Sequence, residues 1–462
     1  MVRLFRVFIP VGVLILLLSE VILVVAAYVA AAYMGFDGDP YVYLTATGWV
    51  SIALVVITII VGLYFYDLYT NVYVDSHLVL AQQLCFIMGA AFLIQGAISY
   101  LDRGLRMPLH VMLPGSAMAL GIIYSWRVLF GHYALEQLGG DRLLLVGSSP
   151  ALAEVAIHIH DHPEKGMKII GSLMDEPGEP VDMRGAKFLG RIDALREVVS
   201  ATSPTRIVVG MRERRSRMPV GELLDLRYSG HLIEEAPTTY ERVCGRVCTK
   251  ELRPSQLIYS GEFGPRRRTL IYQKIANILL ASIGIVVASP IILLTALAVR
   301  LSSSGPVLYR QVRVGMDGVS FTLYKFRSMR VDAEVGTGAV WAQKNDPRVT
   351  PVGALIRKLR FDELPQMLNV IKGEMSIVGP RPERPEFVMT LAERIPYYRQ
   401  RHAVRPGITG WAQINYKYGD TLEDTIAKLE YDLYYIKNMS WSLDTYIIFH
   451  TVKAMLLFRG AQ

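Results

Sequence analysis

The stretch Leu359-Arg360-Phe361-Asp362-Glu363-Leu364-Pro365-Gln366 places two adjacent carboxylates just after the basic residues Arg357, Lys358 and Arg360. An apolar-periodic segment, residues 367–371, follows. The pattern predicts a helix start at Asp362. Asp is a good N-cap, Glu suits the first turn, and proline is tolerated there because the first N–H groups lack intrahelical partners. Two acids and several cations would then gather at the positive end of a helix, a place suited to phosphate chemistry. The plain alternative is a capped helix with a solvated charge run, and the surrounding chain decides between them.

Composition narrows the class. Of 462 residues, 52% are apolar and 19% charged, too apolar for a soluble enzyme of this size, which points to a membrane protein with soluble parts. From residue 265 onward there are 27 Lys+Arg against 16 Asp+Glu, a balance of +11, so the remainder, 22 against 25, is −3. A basic C-terminal part suits a polyanionic substrate, an anionic membrane face, or both. No helix-turn-helix, zinc-finger or aromatic-rich RNA signature accompanies the charge, which argues against nucleic acid. Cys85, Cys244 and Cys248 form neither a zinc pattern nor a disulfide framework, and Cys85 is read as core.

Four apolar runs, residues 7–33, 45–66, 78–100 and 109–130, predict an N-terminal four-helix transmembrane bundle over residues 1–134. Glu20 is an intramembrane acid expected to pack or pair within it. Arg3 and Arg6 suggest that both ends of the bundle are cytoplasmic. Residues 135–243 alternate strand and helix patterns, with strands at 142–147, 167–173 and 206–210, and predict a small Rossmann-like α/β domain. The turn Gly147-Ser148-Ser149-Pro150 lacks the full dinucleotide fingerprint. His158, His160 and His162 read as a surface helix terminus rather than a metal cluster.

Residues 244–268 read as a connector, and 269–302 as a membrane helix whose uncharged run is broken by Ser289-Pro290. Proline removes a backbone hydrogen bond and kinks the helix, while the serine can satisfy a freed carbonyl. The run could be a fifth span or a helix that dips in and returns. Basic flanks on both sides favour the re-entrant form. Residues 303–462 then form a basic, mainly α-helical (α+β) domain with a hairpin around Gly315-Met316-Asp317-Gly318.

Five motifs occur in order in this last part: Lys325-Phe-Arg-Ser-Met329, Asp346-Pro-Arg-Val-Thr350, Asp362-Glu363-Leu-Pro-Gln366, Gly379-Pro-Arg-Pro382 and Arg405-Pro-Gly-Ile-Thr-Gly-Trp-Ala-Gln413. Together they resemble the catalytic domain of bacterial sugar transferases, the polyprenyl-phosphate hexose-1-phosphate transferases. The three-part layout resembles the large form of that family. Phe361 departs from the smaller or polar residue expected there.

The resemblance implies transfer of a sugar 1-phosphate from a UDP-sugar to undecaprenyl phosphate with release of UMP, starting exopolysaccharide, capsule or O-antigen synthesis. It implies Asp362 as nucleophile, forming an aspartyl-phosphosugar, and Glu363 with Asp362 holding Mg²⁺. Arg381 would bind a substrate phosphate, with Arg357, Arg360, Lys325 and Arg327 as further phosphate contacts and Gln413 in the nucleotide or sugar pocket. Ser289 and Pro290 would set the depth of the membrane helix. The partners implied are the UDP-sugar, undecaprenyl phosphate, the lipid bilayer and a second copy in a homodimer. The place implied is the bacterial inner membrane, with the catalytic domain on its cytoplasmic face. A membrane-anchored nucleotide-sensing scaffold with an inactive transferase domain is the competing reading.

Overall fold

Apolar runs without charge become helices because only there does each backbone group find a partner inside its own segment. The computed structural model describes residues 2–457 apart from 5, 37–38, 40, 71, 73–75, 132–140, 175–182, 212–217, 260–263, 265–266, 332, 334–345, 417–418 and 420. The expected boundary at 134/135 and the residue Arg266 lie outside the described residues. The chain divides into two units: Phe8–Ser149 and Ala156–Glu234 with Met1–Arg3, and Glu235–Gln462 with Leu4–Val7 and Pro150–Val155.

In the first unit the expected bundle is present as Val11–Gly35, Trp49–Phe65, His77–Leu101 and Leu109–Leu129. Three of these are long and apolar enough to cross a membrane by themselves. The shorter Trp49–Phe65 continues from the turns Tyr41–Tyr43 and Leu44–Gly48. Tyr28, Ile52, Ile59, Leu84, Ile87 and Ile123 fill the interior. Cys85, read as core, is exposed on its helix.

Apolar contacts add little specificity where the surroundings are equally apolar, so polar pairs matter more. Tyr28 and Ser116 hydroxyls meet at 2.7 Å. Glu20 pairs with Arg127 through N···O contacts of 2.6 and 3.1 Å. The Tyr69 hydroxyl donates to Glu20 at 2.6 Å, and Arg127 donates to the Leu68 carbonyl at 2.7 Å.

The same unit holds a five-stranded sheet in the order Phe188–Arg191, Met167–Met174, Asp141–Gly147, Arg206–Gly210, Leu232–Glu235. Parallel pairing joins the first four of these strands. The order reverses beside Asp141–Gly147, as in a doubly wound Rossmann-type sheet. Gly147 has φ +103°, and a Cβ there would meet the Gly210 carbonyl oxygen at 2.1 Å. His158 and His162 do share a face near the end of the helix Pro150–Asp161, with rings 4.4 Å apart.

In the second unit the uncharged run lies within one helix, Arg267–Ser302, with Pro290 inside it. Pro290 cannot donate to the Val286 carbonyl, its helical acceptor. The Ser289 hydroxyl donates to that same carbonyl at 2.8 Å. Both flanks of the helix touch the C-terminal domain. Gln273 donates to the Tyr435 hydroxyl and to Asp444 at 2.9 and 2.8 Å, and Asn277 to the Ser376 hydroxyl at 2.8 Å. Ala281 is buried with Leu323, Val370 and Met375, and Val299 with Phe326 and Ile356. Between them Val286 and Val287 are 72% and 74% exposed.

The hairpin forms as expected from Leu308–Val314 and Ser320–Phe326, antiparallel with Val314 opposite Ser320. Residues expected as a connector are partly built in. Val247 packs in the core that holds Trp411 and Leu433, and the Trp411 indole donates to the Gly245 carbonyl at 2.7 Å.

Removing one partner of a buried ion pair costs about 3–5 kcal/mol, whereas replacing both is often neutral. Arg127→Leu is therefore expected to lower the melting temperature in detergent and the amount of protein in the membrane. Adding Glu20→Leu to it should restore most of the loss.

Candidate active site

The acids are presented by a tight reversal of the chain. Thr350 caps the helix Pro351–Lys358 by accepting from the Gly353 N–H at 2.9 Å. That helix stops at Leu359, and Arg360 takes a left-handed conformation with φ +59°. A single 3-10 turn, Phe361–Glu363, carries the acids, and the next α-helix is Gln366–Lys372. The expected cap at Asp362 is thus corrected. Arg360 occupies the cap position, Asp362 lies inside the turn, and no side-chain cap bond forms. The positive φ at Arg360 redirects the backbone before the acids rather than after them.

Asn369 ties this segment to the hairpin. Fully buried, it donates to the Thr322 carbonyl at 2.7 Å and accepts from the Tyr324 N–H at 3.2 Å. Its amide does for that strand what a neighbouring strand would do. The hairpin register sets Tyr309 opposite Lys325, Gln311 opposite Leu323 and Arg313 opposite Phe321. Period-two alternation therefore gives Arg313, Leu323 and Lys325 one face. These three line a small cleft with Glu363, Gln366 and Arg381.

Glu363 is the hub. Its Oε1 lies 3.2 Å from the Lys325 ammonium and 3.3 Å from the Arg381 guanidinium, and its Oε2 lies 3.8 Å from Arg360. Burial works against its charge, but Lys325, Arg381 and Arg360 outweigh it and hold Glu363 well below the ordinary carboxylate range. Asp362 is 8% exposed and, among the described residues, has no hydrogen-bond or ion-pair partner. Burial and the adjacent Glu363 charge raise its pKa, while Lys325, Arg357 and Arg381 oppose the rise. The two carboxyls are thus driven apart, one firmly ionised and the other closer to neutral pH.

The turn carrying Arg381 is built by a close crossing of two motifs. Ser376–Val378 pairs in parallel with Gly407–Thr409. The Gly407 N–H donates to the Pro380 carbonyl, and the Gly379 N–H to the Thr409 carbonyl, both at 2.9 Å. A Cβ on Gly407 would lie 2.1 Å from the Gly379 nitrogen. Two arginines that sequence reading missed hold the turn, Arg401 buried and Arg313 partly so. Arg401 donates to the Arg381 carbonyl at 3.0 Å and pairs with Asp432 at 2.9 Å, and Arg313 donates to the Pro382 carbonyl at 2.9 Å. The alternation shared with Lys325 could have singled out Arg313. No local signal links Arg401 to residue 432.

Of the expected phosphate contacts, Lys325, Arg360 and Arg381 meet at Glu363, and Arg357 acts on Asp362 through its charge. Arg327 is engaged elsewhere. It is buried and donates to the carbonyls of Ser303 and Pro306 at 2.8 and 2.5 Å, closing the end of the membrane helix. It makes no hydrogen bond or ion pair with either acid among the described residues. Gln413 donates to the Ile408 carbonyl at 3.3 Å, and its own carbonyl oxygen is buried without a hydrogen-bond partner among the described residues.

Among the described residues no group of three or more His, Cys, Asp or Glu could hold a metal by itself. The Asp362–Glu363 pair fits a cation of the magnesium kind, which takes one or two carboxylates and completes its shell with water and substrate phosphates. The cluster as a whole offers an unpartnered buried carboxylate beside fixed cations, a setting for attack on a phosphoanhydride.

A family model described as Bacterial sugar transferase matches residues 268–458. The chain is 46% identical, over 80% of its length and 86% of the relative's, to the UDP-N-acetylgalactosamine-undecaprenyl-phosphate N-acetylgalactosaminephosphotransferase of Aeromonas hydrophila. It is 35% identical, over 71% of its length and 70% of the relative's, to the UDP-glucose:undecaprenyl-phosphate glucose-1-phosphate transferase of Klebsiella pneumoniae. It is 36% identical to the protein of that same name from Escherichia coli K12, over 67% of both chains. With relatives matched across most of both lengths, the chain belongs to the bacterial sugar transferases, the family of undecaprenyl-phosphate sugar-1-phosphate transferases.

Proposed function

We propose that this chain moves a sugar 1-phosphate from a UDP-sugar to undecaprenyl phosphate through a covalent intermediate on Asp362. A carboxylate oxygen of Asp362 attacks the sugar-proximal phosphorus. The bond from that phosphorus to the bridging oxygen breaks, and UMP leaves. An oxygen of undecaprenyl phosphate then attacks the same phosphorus, Asp362 leaves as carboxylate, and the lipid diphosphate sugar forms. The observation that carries this reading is the buried, unpartnered Asp362 beside a Glu363 already neutralised by Lys325, Arg360 and Arg381.

Those cations would meet the diphosphate as it enters. Magnesium held by Glu363 and Asp362 together with substrate phosphates would supply further charge neutralisation. The 46% identity to the Aeromonas protein favours UDP-N-acetylgalactosamine as donor, ahead of UDP-glucose.

The membrane helix is best read as re-entrant, with the catalytic domain on the cytoplasmic face of the cytoplasmic membrane. Along a straight helix, Ala281 and Val299 would be separated by roughly 27 Å at about 1.5 Å per residue. That is close to the ~30 Å hydrocarbon thickness. Yet both pack on the same C-terminal domain, which cannot stand on both sides of a bilayer. A dipping helix bent at Ser289-Pro290 leaves the exposed residues 286–287 in lipid and keeps the domain at the surface, where the lipid phosphate lies.

Three experiments test these points. In UMP-release assays over a panel of UDP-sugars, Asp362→Asn should lose turnover by a factor of about 10³ or more, and EDTA should stop the parent enzyme until Mg²⁺ returns. Normal turnover by Asp362→Asn removes the covalent mechanism, and no release with any sugar favours the inactive scaffold. Lys325 lowers the Asp362 pKa, so Lys325→Met should raise it further and move the acid limb of kcat/KM to higher pH. In a cysteine-accessibility scan, positions 270 and 304 should label from the same side. Labelling from opposite sides overturns the re-entrant reading.

A further inference from the structure

Gln366 is 4% exposed, lines the cleft beside Lys325, Glu363 and Arg381, and lies one helical turn from Asp362. Among the described residues its side-chain amide has no hydrogen-bond partner. The amide therefore opens onto the cleft and is available to a ligand that enters it. The charged donors around it are already engaged: Lys325, Arg360 and Arg381 contact Glu363, and Arg313 contacts Gln311 and the Pro382 carbonyl. Among the described residues that line the cleft, the Gln366 amide is an uncommitted donor.

We propose that Gln366 is a further catalytic residue. Its Nε2–H donates to a non-bridging oxygen of the phosphoryl group that Asp362 attacks, which rests on the covalent reading above. As the Asp362 oxygen–phosphorus bond forms and the bond to UMP breaks, charge shifts onto the non-bridging oxygens. A fixed neutral donor strengthens its hydrogen bond at that moment without needing to leave an ion pair first. Interactions stronger in the transition state than in the ground state raise kcat and leave KM nearly unchanged. Loss of one such donor costs about 10²–10³-fold in kcat.

The test uses the full chain in lipid nanodiscs with undecaprenyl phosphate, Mg²⁺ and UDP-N-acetylgalactosamine, or whichever UDP-sugar of the panel turns over. Gln366→Met keeps length and neutrality but removes the donor, and Gln366→Ala removes the whole amide. Both are expected to lower kcat about a hundredfold, with KM for the UDP-sugar within about threefold and melting temperature near the parent's. A kcat within threefold of the parent, or a loss confined to KM, overturns the proposal. Gln366→Met covers the case in which the alanine variant fails to fold. Asp362→Asn run alongside separates the two ideas. If it is inactive while the Gln366 variants turn over normally, only the role of Gln366 fails. If Asp362→Asn stays active, the covalent reading fails with it.

Discussion

The site depends on one carboxylate, that of Glu363. Lys325 comes from the hairpin, Arg360 from the turn before the acids, and Arg381 from a proline-bounded turn beyond them. These cations would repel one another without an anion between them, and burial would work against the charge of Glu363 without them. The cluster therefore forms as a unit. Its effect on Asp362 is indirect. With the neighbouring acid taking the cations, Asp362 stays ringed by positive charge yet without a partner of its own.

The hub is held by backbone contacts more than by charge. Asn369 bonds the helix Gln366–Lys372 to the strand that carries Lys325. Crossing glycines bring the Gly379-Pro-Arg-Pro382 turn within hydrogen-bond distance of Gly407–Thr409. Thr350 receives its place from the Ser328 carbonyl at 3.0 Å, so the Lys325-Phe-Arg-Ser-Met329 and Asp346-Pro-Arg-Val-Thr350 motifs are bonded to each other. Most motif residues thus serve to place a few side chains. Arg327 shows this well: its guanidinium secures the end of the membrane helix to the domain.

The membrane helix follows the same logic. Its apolar middle needs lipid, while Gln273, Asn277 and Val299 tie both flanks to the domain. The serine beside the proline satisfies the carbonyl that the proline leaves bare. Anchoring and active-site construction share residues, since Leu323, packed against Ala281, belongs to the strand that presents Lys325.

Periodicity and composition alone established the apolar helices, the alternating α/β segment, the hairpin around Gly315–Gly318, the acid pair and the basic surplus around it. Each is a property of neighbours in the chain, where spacing of 3.6 or 2 residues and proline or glycine punctuation are visible. Resemblance of the five ordered motifs added the family. Tertiary structure alone decided which cations meet Glu363, that Arg327 does not, that Arg401 and Asp432 stand behind Arg381, and that Asp362 sits inside a turn instead of capping a helix. Those outcomes depend on which distant backbones can approach closely and on which charges are buried together. Both are set by packing between segments, and no local pattern encodes them.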